Sequence, residues 1–404
     1  MRKISKISLV AAVAVAGFST ANAQPLEEAI KNVDVSGSVV YRYDNYDNSE
    51  LTTNQSHTDV NRYKIGLNLS SKVNDYVKFN SRFIVGGADA GFASLDAQTG
   101  NRSRTATNNV LDGDNNADIT LSNAYFGFTA IPNTVVNIGK QGLATPYTVA
   151  TDINGNEQTG TGILALSTFG PVTAGAGYFN NQNLHNSGDA TGLFDGGEDL
   201  YVATVQGDLD FVKLEAWYLG AQDTLNSYTL AATSKLDLAD NAKLGLEARY
   251  VNLKLDTDTG ITGDDRKNSM FRLAVDGKFS IVNARLAYTK TGKHGGVTAT
   301  DVDAKNASLG WALNSLVQDA NYYQAALGAD ILDNLNFTVH YGNLKTDYNN
   351  SAVERKANEV YGQLTYKMSK NLSTYLRYGT YERKDNGVKN IDENRGRIQV
   401  AYTF

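Results

Sequence analysis

Two sets of charged residues of opposite sign stand out by type and spacing. From Gly142 through Val212 the chain has no lysine or arginine but eight acids: Asp152, Glu157, Asp189, Asp195, Glu198, Asp199, Asp208 and Asp210. Upstream, Arg42, Arg62, Lys64, Lys78, Arg82 and Lys140 fall on the polar side of segments that alternate with apolar residues. Carboxylates facing cations across water would create a transverse field, which orients dipolar solutes and sets ion preference. That is the chemistry of passage and makes no bonds. The plainer reading of the cations is solvation, or ion pairing with Asp34, Glu215 or Glu247, and the plainer reading of the acidic stretch is a surface loop. Catalytic patterns are missing. His57, His185, His294 and His340 are scattered, and no G-x-S-x-G, H-E-x-x-H or phosphate-cradling glycine loop occurs. Asp112-Gly113-Asp114-Asn115-Asn116 is like a calcium loop, but lacks the glycine at position six and the final glutamate. The chain has no cysteine, which excludes disulfides, thiol catalysis and cysteine metal sites. The sequence therefore reads as no enzyme, and its acidic net charge of −6 without a basic block points away from nucleic acid.

A transverse field needs walls, and the elements supply them. Val33, Val35, Gly37, Val39, Tyr41 and Tyr43 alternate with Asp34, Ser36, Ser38, Val40, Arg42 and Asp44. Successive side chains of a strand point to opposite faces, so one face is oily and the other wet. The pattern recurs from Tyr63 to Leu69, from Val77 to Val85, from Leu244 to Tyr250 and from Val360 to Tyr366, in about 18 segments, near the length a tilted membrane strand needs. Connections alternate as well. Short ones include Ser71–Asp75 and Phe169–Pro171. Long ones include Gly87–Asn116, Gly292–Ala320 and Glu382–Glu393. Short periplasmic turns alternating with long extracellular loops mark an all-β transmembrane antiparallel β-barrel, about 18 strands with 16 as the alternative. The start agrees: Met1-Arg2-Lys3, a short apolar run to Phe18 and Ala21-Asn22-Ala23 form a signal peptide over residues 1–23, cut after Ala23. Residues 24–404 are then the barrel domain. The last strand, with Ile398, Val400, Tyr402 and Phe404 on one face, ends on an aromatic residue.

The segment Pro25-Leu26-Glu27-Glu28-Ala29-Ile30-Lys31-Asn32-Val33-Asp34-Val35-Ser36-Gly37, continued by Tyr41-Arg42-Tyr43-Asp44, resembles the start of the Campylobacter-type (epsilonproteobacterial) major outer membrane porins. Gly139-Lys140-Gln141, Asp152 and Gly160-Thr161-Gly162 are similar to that family too. The resemblance implies an 18-stranded general porin, a homotrimer with a bias toward cations. It also suggests a divalent cation, Ca2+, held in the pore by acidic residues, with Asp152 and Glu157 as the candidates. No other cofactor is called for.

A barrel of this size leaves an aqueous channel. The expected pore constriction is a loop at about 142–162, folded inward with Asp152 and Glu157 opposite Arg42, Arg62, Lys64, Lys78, Arg82 and Lys140. The function that follows is a general diffusion porin of the bacterial outer membrane, passing ions and small hydrophilic solutes with weak cation selectivity, its partners outer membrane lipid and lipopolysaccharide. One alternative is a surface adhesin or structural barrel acting through long loops such as Gly292–Ala320. Another is a substrate-specific sugar channel, for which Trp217, Tyr361 and Tyr375 form no contiguous aromatic track. Pro25–Lys31 reads as a short periplasmic helix.

Overall fold

The computed structural model describes residues 33–51, 57–87, 90–95, 117–186, 193–348 and 353–404. The signal segment 1–23, the helix over Pro25–Lys31, Asp189 and the calcium-like Asp112–Asn116 stretch lie outside the described residues.

Alternation becomes strand. In β1 (Val33–Asn48) Val35, Val39 and Tyr41 are exposed while Val40, Arg42 and Asp44 are buried. The same period runs through β2 (His57–Asn74), β3 (Val77–Gly86), β4 (Asp118–Phe128), β5 (Thr134–Gly142) and β6 (Thr159–Phe169). It continues in β7 (Val172–Gln182), β8 (Leu200–Leu209), β9 (Val212–Ala221), β10 (Leu225–Ala239), β11 (Ala242–Leu255) and β12 (Lys267–Phe279). The chain finishes with β13 (Val282–Thr291), β14 (Asn321–Leu332), β15 (Leu335–Tyr348), β16 (Val353–Lys367), β17 (Leu372–Asp385) and β18 (Val388–Thr403). Tyr178, Tyr201, Leu230, Phe271, Leu286, Leu327 and Tyr378 all stand exposed on the outer face. In water so large an apolar surface would drive association, and in a bilayer it is the lipid-facing band.

Each strand pairs antiparallel with its neighbours in sequence, and β18 pairs back onto β1 from Ser38↔Thr403 to Asn48↔Glu393, closing an 18-stranded barrel. A two-residue segment, Ala93–Ser94, adds to β2 beyond the end of β3. Closure satisfies the backbone donors and acceptors that lipid cannot.

One end of the barrel carries tight turns, such as Asp210–Phe211 and Ser280–Ile281, where Asp210 and Ser280 take left-handed φ of 59° and 53°. The other end carries the long connections. One expected long loop is corrected. Residues 382–393 are mostly strand, since β17 and β18 meet in the two-residue turn Asn386-Gly387 with φ of 50° and 82°. An Asn-Gly pair with both φ positive matches the right-handed twist of a hairpin, so it joins strands directly.

Candidate functional site

Two loops from the long-loop end fold into the lumen. The first, residues 143–158, joins β5 to β6. It is held on one side by apolar burial. Leu143 and Tyr147 pack with Phe179, Leu200, Leu219 and Val251, inward residues of the facing strands. Fully burying a leucine of this kind contributes about 1.5–3 kcal/mol. On its other side charge and backbone polarity hold it. Arg82 of β3 grips Glu157 with Nε at 2.8 Å and Nη2 at 2.6 Å, and Glu157 is wholly buried. Register shifts between Arg82 and Phe83 against β4, leaving Ser122 as the extra residue. That bulge turns its Oγ inward to donate to Glu157 at 2.7 Å, the re-aiming that bulges provide. Lys64 Nζ of β2 donates to the carbonyls of Asp152 at 2.5 Å and Gly155 at 3.0 Å. Arg42 of β1 reaches Asn154 Oδ1 at 2.8 Å.

Glu157 and Arg82 are thus in contact rather than across a gap, because the loop is docked onto the basic wall. The acidic group that remains is one the sequence did not bring together. The carboxylates of Asp152, Asp301 and Asp303 lie within 4.8 Å of one another. Asp152 and Asp301 are buried, and Asp152 Oδ2 is a buried oxygen with no hydrogen-bond partner.

Asp301 and Asp303 come from the second loop, residues 292–320 between β13 and β14. That loop, expected at the surface, is packed inward against wall and first loop alike. Thr300 N donates to Tyr147 O at 2.9 Å and Asn306 N to Pro146 O at 2.9 Å. Ala299, Ala304 and Ala307 pack against Val149. Inward residues of five strands hold it: Thr229 accepts from Asn306 Nδ2, Arg272 donates to the carbonyls of Lys305 and Ala307, Thr289 bonds Ser308, Gln324 donates to Leu309 O and Glu359 accepts from the N–H groups of Trp311 and Ala312. The reason is compositional: this loop carries small residues, among them Ala299, Ala304, Ala307 and Ser308, that let its backbone lie close to a polar wall.

The remaining expected residues divide. Arg62 faces the lumen and pairs with Asp44 at 2.8 Å. Lys78 shares the inward parity of Arg82, but is exposed near the tight-turn end, four residues from the loop contacts. Lys140 is corrected. Asn137 and Gln141 are buried and bonded to each other at 2.6 Å, so Ile138 and Lys140 lie on the opposite, outer face. Lys140 Nζ reaches Leu121 O at 2.8 Å there. Glu157, offered for a cation, is committed to Arg82, whereas Asp152 joins the acidic trio.

The expected constriction also left out the inward arginines of β18. Arg397 pairs with Asp44 at 2.5 Å, and Arg395 with Glu393. Their alternation with Ile398 and Gly396 was the available signal. Trp311 gave none, since only the fold of its loop brings it to the wall.

A cavity of about 520 Å3 lies between the two inward loops and the wall of β6 to β9, lined by Thr168, Thr173, Thr204, Gln206, Lys213 and Trp217 together with loop residues such as Thr148 and Lys305.

Comparison with known proteins agrees with this architecture. The sequence profile of the Campylobacter major outer membrane protein family matches residues 1–404. Among solved structures the fold is similar to Pseudomonas aeruginosa OpdL (TM-score 0.70, 15% identity, 93% of this chain and 99% of that one). It is similar also to Acinetobacter baumannii OccAB1 (0.70, 16%, 92% and 96%) and to the outer membrane protein OpdK of P. aeruginosa (0.68, 16%, 92% and 98%). No curated protein matches.

Proposed function

The chain belongs to the Campylobacter major outer membrane protein family, as an outer membrane porin and not an enzyme, and from that premise we propose that it is a general diffusion porin for ions and small hydrophilic solutes, weakly cation-selective. The observation that carries this reading is the meeting of the two loops inside the barrel. Arg42 binds Asn154, and Asn154 Nδ2 binds Asp303 at 3.0 Å, so basic wall and acidic trio stand one residue apart. The pore constriction in this reading is built by both loops, with Asp152, Asp301 and Asp303 on the acidic side and Arg42, Arg62 and Lys64 on the basic side. Buried carboxylates at a narrow passage attract cations and repel anions.

The trio also fits a divalent cation. Three carboxylates within 4.8 Å, one with an unpartnered buried oxygen, match the hard oxygen donors Ca2+ prefers. Bound there, Ca2+ would neutralise the trio and tie the first loop to the second. A homotrimer is part of the same proposal. The outward positions of β6 to β8 include Ala165, Ala174, Ala176 and Ala203, small residues that let barrel walls approach closely. Cleavage after Ala23 in the signal peptide completes it.

The test is planar-bilayer recording of the purified protein under a potassium chloride gradient. Stepwise openings in threes with a cation-sign reversal potential are expected. EDTA should deepen the cation preference, by unmasking the trio. A barrel that does not conduct would sink the reading in favour of an adhesin.

A further inference from the structure

We propose that Arg377, framed by Trp311, Tyr361 and Tyr375, is a lumenal binding subsite for planar carboxylate solutes. It rests on the pore reading and adds to that weakly cation-selective pore one local wall site for an anionic solute.

Placement comes first. On β17 Tyr375 and Arg377 alternate with the exposed Leu376 and Tyr378, so they face the lumen. On β16 Tyr361 is the inward neighbour of the exposed Val360. The second inward loop delivers Trp311 to the same spot, latched by Glu359.

Charge is the second argument. Nine strand arginines lie within 4.0 Å of a carboxylate: Arg62, Arg82, Arg249, Arg272, Arg285, Arg355, Arg383, Arg395 and Arg397. Among the described residues Arg42 and Arg377 are the exceptions. Both bond neutral amides instead. Arg42 is buried, at 3% exposure, between Gln399, Asn154 and Phe92. Arg377 is only half-buried, and its Nε and Nη2 both donate to Gln363 Oε1, at 2.9 and 2.6 Å. It also stands in register with Arg397 across the strand pair, a like-charge placement that costs stability. An inward cation kept against that cost, and left without a counter-charge, is an anion site.

Ring geometry supplies the specificity. The Arg377 guanidinium carbon is 5.2 Å from the Trp311 ring, 4.8 Å from Tyr361 and 5.3 Å from Tyr375. His340 stacks on Tyr361 at 4.5 Å and 14° and braces that ring. Trp311 Nε1 is a buried donor with no hydrogen-bond partner. Rings that brace a guanidinium fix its fork for two parallel bonds to a carboxylate, and the half-buried Trp311 and Tyr375 offer flat faces to a planar body attached to it. Aliphatic acids gain only the fork, and cations are repelled. A transported solute must also leave, so weak binding is what such a subsite needs.

The test uses purified full-length protein in a planar bilayer, with benzoate as probe and cyclohexanecarboxylate and benzylamine as comparators. Benzoate should interrupt the current in a concentration-dependent way, more than either comparator. Arg377→Gln should weaken that response about tenfold, the worth of a hydrogen bond to a charged group, and leave open conductance in place. Arg355→Gln, at the rim and paired with Asp385, should leave it unchanged. The same benzoate response in Arg377→Gln as in the parent would overturn the subsite and leave the pore standing. Equal blocking by cyclohexanecarboxylate would overturn the planar preference. Absence of any conductance would sink the pore reading, and tryptophan fluorescence in detergent then decides the subsite: a benzoate-dependent change that Arg377→Gln abolishes upholds it, and no change rejects it.

Discussion

At the scale of single residues, the decisive contact is the buried pair of Arg82 and Glu157. Side-chain exposures of 10% and 0% take both charges out of water, where a pair constrains geometry more than it adds stability. Breaking it is another matter. Glu157→Gln leaves Arg82 buried with its charge uncompensated, at a cost of about 3–5 kcal/mol. The expected outcome is a lower temperature for loss of the heat-modifiable folded band, with noisier current as residues 143–158 loosen. Arg82→Met added to Glu157→Gln should recover part of the loss, because no buried charge then remains. An unchanged folded-band temperature in the single variant would refute the tethering role. The charges of this contact were readable in the sequence, since alternation assigns Arg82 and Lys64 to the wet face. Their partners were not. Parity says which way a side chain points, but not which loop descends onto it, and Asn154 meets Asp303 across 149 residues.

At the scale of elements, the strands follow from period-two patterning and the loops do not. Alternation fails as a guide at Lys140, where a short strand with Gly139 at a positive φ of 127° carries a charge outward. It also overlooked the Asn386-Gly387 turn, although the dipeptide itself signals a hairpin. The second inward loop is the larger lesson. Its descent depends on Glu359, whose carboxylate accepts from three successive backbone N–H groups of Trp311, Ala312 and Leu313. Gly310 makes this latch fit: a Cβ there would lie 1.6 Å from Glu359 Oε1 and 2.7 Å from the Tyr322 hydroxyl. Gly310→Ala should therefore unlatch the loop while the barrel stays closed. The expected readings are a larger and more variable single-channel conductance, with proteolysis within residues 292–320 from the outside. Conductance steps identical to the parent's would show that the latch does not hold the loop over the lumen.

At the scale of the whole molecule, everything described depends on one seam between residues hundreds of positions apart. An open sheet would leave two edges unpaired, untenable in lipid and prone to pairing with other chains. The closing register of β1 with β18 ends where Gly37 and Phe404 exchange two backbone hydrogen bonds, at 2.9 and 3.0 Å. The Phe404 ring covers Gly37 and stacks near Tyr402 at 5.9 Å. A side chain at Gly37 would put its Cβ 2.3 Å from Gly66 O and 2.7 Å from Phe404 Cζ, so the ring and the rung beside it cannot both stay. Bringing such distant residues together costs loop-closure entropy before any contact repays it, which makes the seam a slow step. Gly37→Val should then fold into lipid vesicles roughly thirtyfold more slowly, as expected if two hydrogen bonds of about 1 kcal/mol each are missing from the closing step. The pore current of molecules that do close should match the parent, because position 37 shares the outward parity of the exposed Val35 and Val39. A folding rate equal to the parent's would place closure elsewhere than at this rung, and reduced current in the closed fraction would show that the seam shapes the lumen as well as sealing the wall.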